Sequence, residues 1–171
     1  KLAETISFRK IPFVNPAIKI DSTLLASFNN PDLIAFYQNY GSETVWHSKD
    51  DRAIVLDEFK NCTLEGLLPN DYNYDKLLSF ENKHEQLEDL KLVEYDLLFT
   101  QSIQKYISHI YKGKIAPKSI YRDWDLKEKT IDVNSVLFEA IATKNFKAKL
   151  EDCKPKHIVY QKLKESLQLL N

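Results

Sequence analysis

The chain has no methionine, three glycines and two cysteines among its 171 residues, and each shortage removes a class of explanation. Opening on Lys1 without any methionine, the sequence is expected to be cut from a longer translation product that has lost a leader and further sequence. Gly41, Gly66 and Gly113 stand alone, so there is no GxGxxG or P-loop to cradle phosphate, no flexible linker and no internal repeat. Cys62 and Cys153 are too far apart in sequence for a CxxC pair or a metal knuckle. They read as small buried thiols, with a single disulfide between them as the alternative in an oxidising compartment. His47, His84, His109 and His157 never fall three or four residues apart and no HExxH occurs, so neither a metal nor any other cofactor is expected. No run approaches ~18 apolar residues, and no membrane span is expected.

What is present suits one domain with a sizeable core. Hydrophobic residues make up 43% and charged residues 29% of the chain, proportions that exclude a disordered polyampholyte. The charge is balanced, 24 basic against 25 acidic, which argues against nucleic acid as the partner. The balance hides a gradient: 11 basic and 17 acidic residues up to Tyr111, then 13 and 8 from Lys112 onward. Two solvated faces of opposite sign would explain this, as would a basic surface for an anionic partner.

The organising stretch spans residues 64–78, Leu-Glu-Gly-Leu-Leu-Pro-Asn-Asp-Tyr-Asn-Tyr-Asp-Lys-Leu-Leu. Gly66 can end a helix in a left-handed conformation, Pro69 blocks its continuation, and Asn70 or Asp71 can cap or turn the next element. The corner's Leu67, Leu68, Tyr72, Leu77 and Leu78 are expected to be buried by helices on both sides. Before it, Pro12 and Pro16 favour an extended N-terminal segment lying on the domain. Residues 21–28 suit a short helix. Asn30-Pro31 caps a helix carrying Leu33, Ile34, Phe36, Tyr37 and Tyr40, Ser48 with Asp51 starts a helix running to Gly66, and Trp46 is expected to plug the gap between these two helices.

Beyond the corner, residues 71–83 are expected to be largely helical. The longest periodic segment, about 86–111, places Leu90, Val93, Leu97, Leu98, Ile103, Tyr106, Ile107 and Ile110 at helical spacing and closes at Gly113. Its broad apolar surface marks it as the central helix. Asp132 caps a helix through Val136, Leu137, Ala140 and Ile141, a shorter one covers 146–150, and Val159, Leu163, Leu167 and Leu170 share one face of a last helix. The expected fold is all-α, an irregular array of six or seven helices, with an extended segment at 1–30 and the helical domain at 31–171.

Few residues offer chemistry. Glu65, Asp71 and Asp75 cluster around the corner and would form an acid/base pair only if they converged in a cleft; capping and turn bonds explain them with less assumption. Tyr106, Tyr111, Tyr121 and Trp124 beside Lys112, Lys114, Lys118 and Arg122 combine stacking surfaces with positive charge, as glycan or nucleic-acid sites do, or are core tyrosines beside a solvated basic loop. The candidate partner or glycan contacts are therefore Lys112, Lys114, Lys118, Arg122 and Trp124.

Six pieces in order resemble one known module. They are Phe36-Tyr37 with Trp46; Glu65 through Tyr72; Asp96-Leu97-Leu98-Phe99-Thr100 with Tyr106; Lys112-Gly113-Lys114 with Pro117 and Trp124; Asp132; and Lys154-Pro155-Lys156-His157 with Tyr160 and Leu163. The pattern is similar to the N-terminal scaffold domain of the YcbB-like murein L,D-transpeptidases, over about residue 33 to the C-terminus. The resemblance implies a periplasmic or cell-envelope protein that helps join peptidoglycan stem peptides through 3-3 cross-links. That family's catalytic domain uses a cysteine in a Ser-x-Gly-Cys-x-Arg motif. Neither Cys62 nor Cys153 is preceded by glycine or followed two residues on by arginine, so no catalytic residue carries over.

Two functions are consistent with this reading. One is a non-catalytic scaffold domain whose partner is the catalytic transpeptidase domain of the same full-length chain, with peptidoglycan as a further contact. The alternative is a free-standing helical binding module for a cell-wall polymer or protein partner, with residues 111–122 as its contact surface.

Overall fold

Most helix starts in this chain are set by a side chain that accepts N–H groups left unpaired by the first turn. In the computed structural model, which describes residues 16–115 and 129–169, Asp21 caps α1 (Ser22–Ser27). Asn30 caps α2 (Pro31–Asn39), with Pro31 in its first turn. Ser48 caps α3 (Lys49–Asn61), its hydroxyl accepting from the Asp51 amide at 3.2 Å. α4 (Tyr74–Glu81) and the long α5 (Asp89–Lys112) start without a side-chain cap. Asp132 caps α6 (Val133–Thr143), Asn145 caps α7 (Phe146–Cys153), and the His157 ring nitrogen accepts from Val159 N at the start of α8 (Ile158–Gln168).

The described residues thus form an all-α array, with eight helices and three 3-10 turns. The count exceeds the expected six or seven because the short α1 and α7 are full elements. Ahead of α1 a single antiparallel bridge pairs Lys19 with Glu43, where Ile20 N donates to Ser42 O at 2.8 Å and Thr44 N to Ile18 O at 3.0 Å. Residues 1–15 of the expected extended segment lie outside the described residues.

The corner is tighter than one helix stop. A 3-10 turn, Cys62–Glu65, follows α3 and ends at Gly66 with φ 73° and ψ 20°, where Leu67 N reaches back to Cys62 O at 3.1 Å. A second turn, Pro69–Tyr72, ends at Asn73 in the same left-handed region, φ 55° and ψ 28°. The expected helix over 71–83 is therefore interrupted, and α4 begins only after Asn73, a residue type that tolerates this conformation.

α5 is central, as its breadth of apolar residues implies: α2, α4, α6, α7 and the Pro69–Tyr72 turn all pack on it. The core is aromatic. Trp46 lies 4.4 Å from Phe99 and 5.3 Å from Phe146 between ring centroids, so its ring fills a gap bounded by α5 and α7 and not simply the one between α2 and α3. Tyr72, Phe59 and Tyr106 form a second group at 5.1 to 5.6 Å. Within the corner Leu67, Tyr72 and Leu77 are buried as expected, but Leu68 is 58% and Leu78 36% exposed. The turns on either side of Pro69 leave these two leucines without the cover that a helix on each flank would give. Leu90 in the first turn of α5 is exposed as well.

The larger departure is α8. Of its expected stripe, Val159 and Leu163 are exposed, Leu163 at 65%, Leu167 is half-buried and Leu170 lies outside the described residues; no residue of α8 is fully buried. The main neighbour of α8 is the Cys62–Glu65 turn, and polar groups make the attachment.

Candidate functional site: two polar networks and a groove on the central helix

The chain between α2 and α3 has no regular structure, so its backbone groups must find partners elsewhere. Asp96, about a third of the way along α5 and 3% exposed, supplies them. Its carboxylate accepts from Val45 N and Trp46 N, both at 2.9 Å, and from the Tyr37 hydroxyl at 2.5 Å. Trp46 Nε1 donates to Thr100 Oγ1 at 2.8 Å, and the Thr100 hydroxyl, 2.7 Å from Tyr37 Oη, donates onward to it. Burial pushes the Asp96 carboxyl up to about 6, against the pull of these donors. On the other side Arg52, also buried, donates to Trp46 O and His47 O and forks onto Glu81 at 2.8 and 3.1 Å. Burial raises the Glu81 carboxyl, but the bonds from Arg52 and Tyr95 outweigh it and hold it below the ordinary range. The Trp46 segment is held from both sides through its N–H and C=O groups alike.

A second network joins the corner to the C-terminal part. Glu65, its side chain 5% exposed, accepts from Tyr160 and, at 2.5 Å, from Lys164 of α8. Lys154 sits among Glu151, Glu58 and Glu65 at 2.9, 3.3 and 3.4 Å. Burial depresses the Lys154 ammonium, yet the three carboxylates outweigh it and keep it above the ordinary lysine value. The sequence pieces that carry the resemblance are the pieces these networks join: Tyr37 and Trp46 with Asp96 and Thr100, and Glu65 with Lys154 and Tyr160.

The third feature is a groove of about 430 Å³ along one side of α5. Gln101, Ser102, Gln104, Lys105, Ser108 and Lys112 form its floor. Asn30 and Asp32 from the start of α2, Asn73 from the corner, and Ile131 and Val133 at the start of α6 form its walls. Asn73 Nδ2 donates to Ser102 Oγ at 3.0 Å, and Tyr72 Oη lies 3.0 Å from His109 Nδ1. Burial, with Lys105 nearby, lowers the affinity of His109 for a proton. Asn134 bridges the walls, accepting from Gln104 Nε2 at 2.8 Å and donating to Asp32 O at 2.9 Å.

Of the candidate contacts, Lys112 lines this groove, whereas Lys114 turns to Asp71 at 2.6 Å. Lys118, Arg122 and Trp124, with Tyr121, lie outside the described residues. Tyr106 is a core residue that donates to Glu58, and Lys129 sits over the ring of Tyr111. Glu65, Asp71 and Asp75 go separate ways: Glu65 to Lys154 and Lys164, Asp71 to Lys114, and Asp75 to the first turn of α4. Both cysteines are free and buried; burial pushes the Cys62 thiol up to about 11 and raises Cys153 too. Among the described residues no group of His, Cys, Asp and Glu is arranged to hold a metal, and no helix is long and apolar enough to cross a membrane.

Sequence reading missed Arg52 and the groove. Gln101, Lys105, Ser108 and Lys112 at spacings of three and four were a visible signal, but a polar stripe on a helix ordinarily marks the solvent side. A family model described as Scaffold domain matches residues 31–167. No curated protein and no solved structure matches the chain.

Proposed function

Since this chain belongs to the Scaffold domain family, a non-catalytic one, we propose that it is the scaffold domain of an L,D-transpeptidase-like protein of the cell envelope. In that role it holds the catalytic domain of the same full-length chain for peptidoglycan cross-linking. The observation that carries the reading is the family match over 31–167. The internal networks support it: Asp96, Arg52 and Glu65 are engaged in fixing one element against another. Both thiols are poor nucleophiles, being buried with raised pKa.

The test has two parts. The isolated chain, incubated with muropeptides or with a carbapenem, should form no 3-3 cross-link and carry no adduct at Cys62 or Cys153 by intact-mass spectrometry. The coding sequence that holds this chain should also encode a Ser-x-Gly-Cys-x-Arg segment, and the longer protein should be acylated there. Acylation of either cysteine in this chain refutes the non-catalytic assignment. A full-length protein without that segment refutes the transpeptidase context.

A free-standing module remains a second reading because of the α5 groove, which Lys112 lines. Retention of the chain by purified sacculi, lost on Lys112→Gln, would favour it.

A further inference from the structure

The end of α5 carries four polar side chains in close succession, Lys105, Ser108, His109 and Lys112, and all four line the groove. At positions i, i+3, i+4 and i+7 they share one face over two helical turns, so the two lysines flank the hydroxyl and the imidazole. Their donors are free to meet a ligand. Tyr72 Oη, with no other acceptor among the described residues, donates to His109 Nδ1 at 3.0 Å, which puts the proton of the neutral ring on Nε2. His109 Nε2 and Ser108 Oγ have no partner among the described residues, yet the only buried side-chain atom left unpaired there is Gln104 Oε1, so both are open to solvent. Lys105 uses one donor on Asp71 O at 3.0 Å and keeps two, and Lys112 is exposed with no ion pair among the described residues.

Charge then selects the ligand. Lys114 takes up the Asp71 carboxylate at 2.6 Å, which leaves Lys105 and Lys112 uncompensated on this face. Against them stand Asp32 on the opposite wall and about half a negative charge from the carboxyl end of α5, together less than two ammonium charges. Four donors, two of them cationic, suit a phosphate monoester, with about 1.5 to 2 negative charges and its acceptor oxygens, better than a singly charged carboxylate. The remaining walls set what carries the phosphate. Apart from the His109 imidazole no aromatic ring lines the groove, so a nucleobase has no platform, whereas the side-chain amides of Asn73 and Gln101 can meet hydroxyl groups. A volume of about 430 Å³ lies at the small end of ligand sites. We propose that this groove binds a small phosphorylated sugar, its phosphoryl oxygens accepting from Lys105, Ser108, His109 and Lys112 and its hydroxyls lying against the Asn73 and Gln101 amides. The inference stands on the groove and does not depend on the cell-wall assignment.

The test is a titration of the ¹⁵N-labelled chain, at constant ionic strength, with glucose 6-phosphate beside glucose, glucuronate and inorganic phosphate. Glucose 6-phosphate should shift the His109 ring nitrogens and the backbone of 105–112. Inorganic phosphate and glucuronate should each bind about tenfold more weakly, the first lacking the hydroxyl contacts and the second a charge, and glucose should bind more weakly still. Lys112→Gln and Ser108→Ala, each first checked to melt like the parent, should both weaken glucose 6-phosphate binding, Lys112→Gln by about tenfold. Lys147→Gln, at an exposed lysine of α7 that does not line the groove, should leave it unchanged. No shift at His109 with millimolar glucose 6-phosphate overturns the proposal, as does glucuronate or inorganic phosphate binding as tightly as the ester. Equal weakening by Lys147→Gln and Lys112→Gln overturns it too, because attraction to the overall charge would then explain the binding.

Discussion

Removing the Asp96 side chain tests the first network most directly. In Asp96→Ala, Val45 N and Trp46 N lose their acceptor inside the core, and the Tyr37 hydroxyl falls back on the residue 96 carbonyl at 3.0 Å. Each stranded buried donor costs about 1–3 kcal/mol, but single substitutions rarely exceed ~5 kcal/mol in total, so a loss of about 4 kcal/mol is expected. For a chain of this size each kcal/mol moves Tm by about 2–4 °C, so the melt should fall by about 8–16 °C. Asp96→Asn keeps one oxygen and should lose roughly half as much.

The acid dependence separates charge from shape. Because the folded Asp96 pKa lies at about 6, above the ordinary 3.8, its extra stabilisation is fully present below pH 3.8 and fades as pH rises through 6. The stability gap between wild type and Asp96→Asn should therefore shrink from pH 4 to pH 7 by up to roughly 3 kcal/mol if the whole interval counts, enough to close a gap of about 2 kcal/mol. Urea unfolding followed by far-UV circular dichroism at several pH values measures it, and all groups common to the two proteins cancel in the difference. A gap that stays constant, or widens with rising pH, refutes the argument that burial outweighs the donors.

Other substitutions act on smaller parts of the molecule. Glu65→Ala leaves Lys154 and Lys164 without a carboxylate that is itself nearly buried, and should cost about 2–4 kcal/mol, with amide exchange in α8 rising before that of α5. Gly66→Ala meets no neighbour within 4 Å and bears only the strain of left-handed backbone, about 1 kcal/mol by equilibrium unfolding. Gly113→Ala should cost more, about 2 kcal/mol, because φ 91° with ψ 151° lies in a region open almost only to glycine. Cys62, buried with a pKa of about 11, should react with a disulfide reagent at pH 8 only as fast as the chain opens, and a fast initial burst from it would contradict its placement.

Local chemistry was legible in the sequence; long-range pairing was not. Asn30, Ser48 and Asp132 cap the helices assigned to them because capping depends on residues two or three positions away. The central position of α5 could be read because an apolar surface that wide needs neighbours on several sides. Asp96, by contrast, meets partners 50 and 59 residues distant, and nothing near it in sequence distinguishes it from a solvent-facing carboxylate. α8 fails in the opposite sense. Periodicity established that Val159 and Leu163 share a face but not that anything would cover it.

The fastening of α8 has a practical consequence. A helix moored by ion pairs, with little oil beneath it, responds to ionic strength differently from its neighbours. At molar salt the Debye length shrinks to ~3 Å, and the partly exposed Lys164 clasp should slacken while the aromatic interior, if anything, tightens. Raising salt would then peel the C-terminal helix away from an otherwise intact body, opening the bond after the partly covered Lys164 to trypsin.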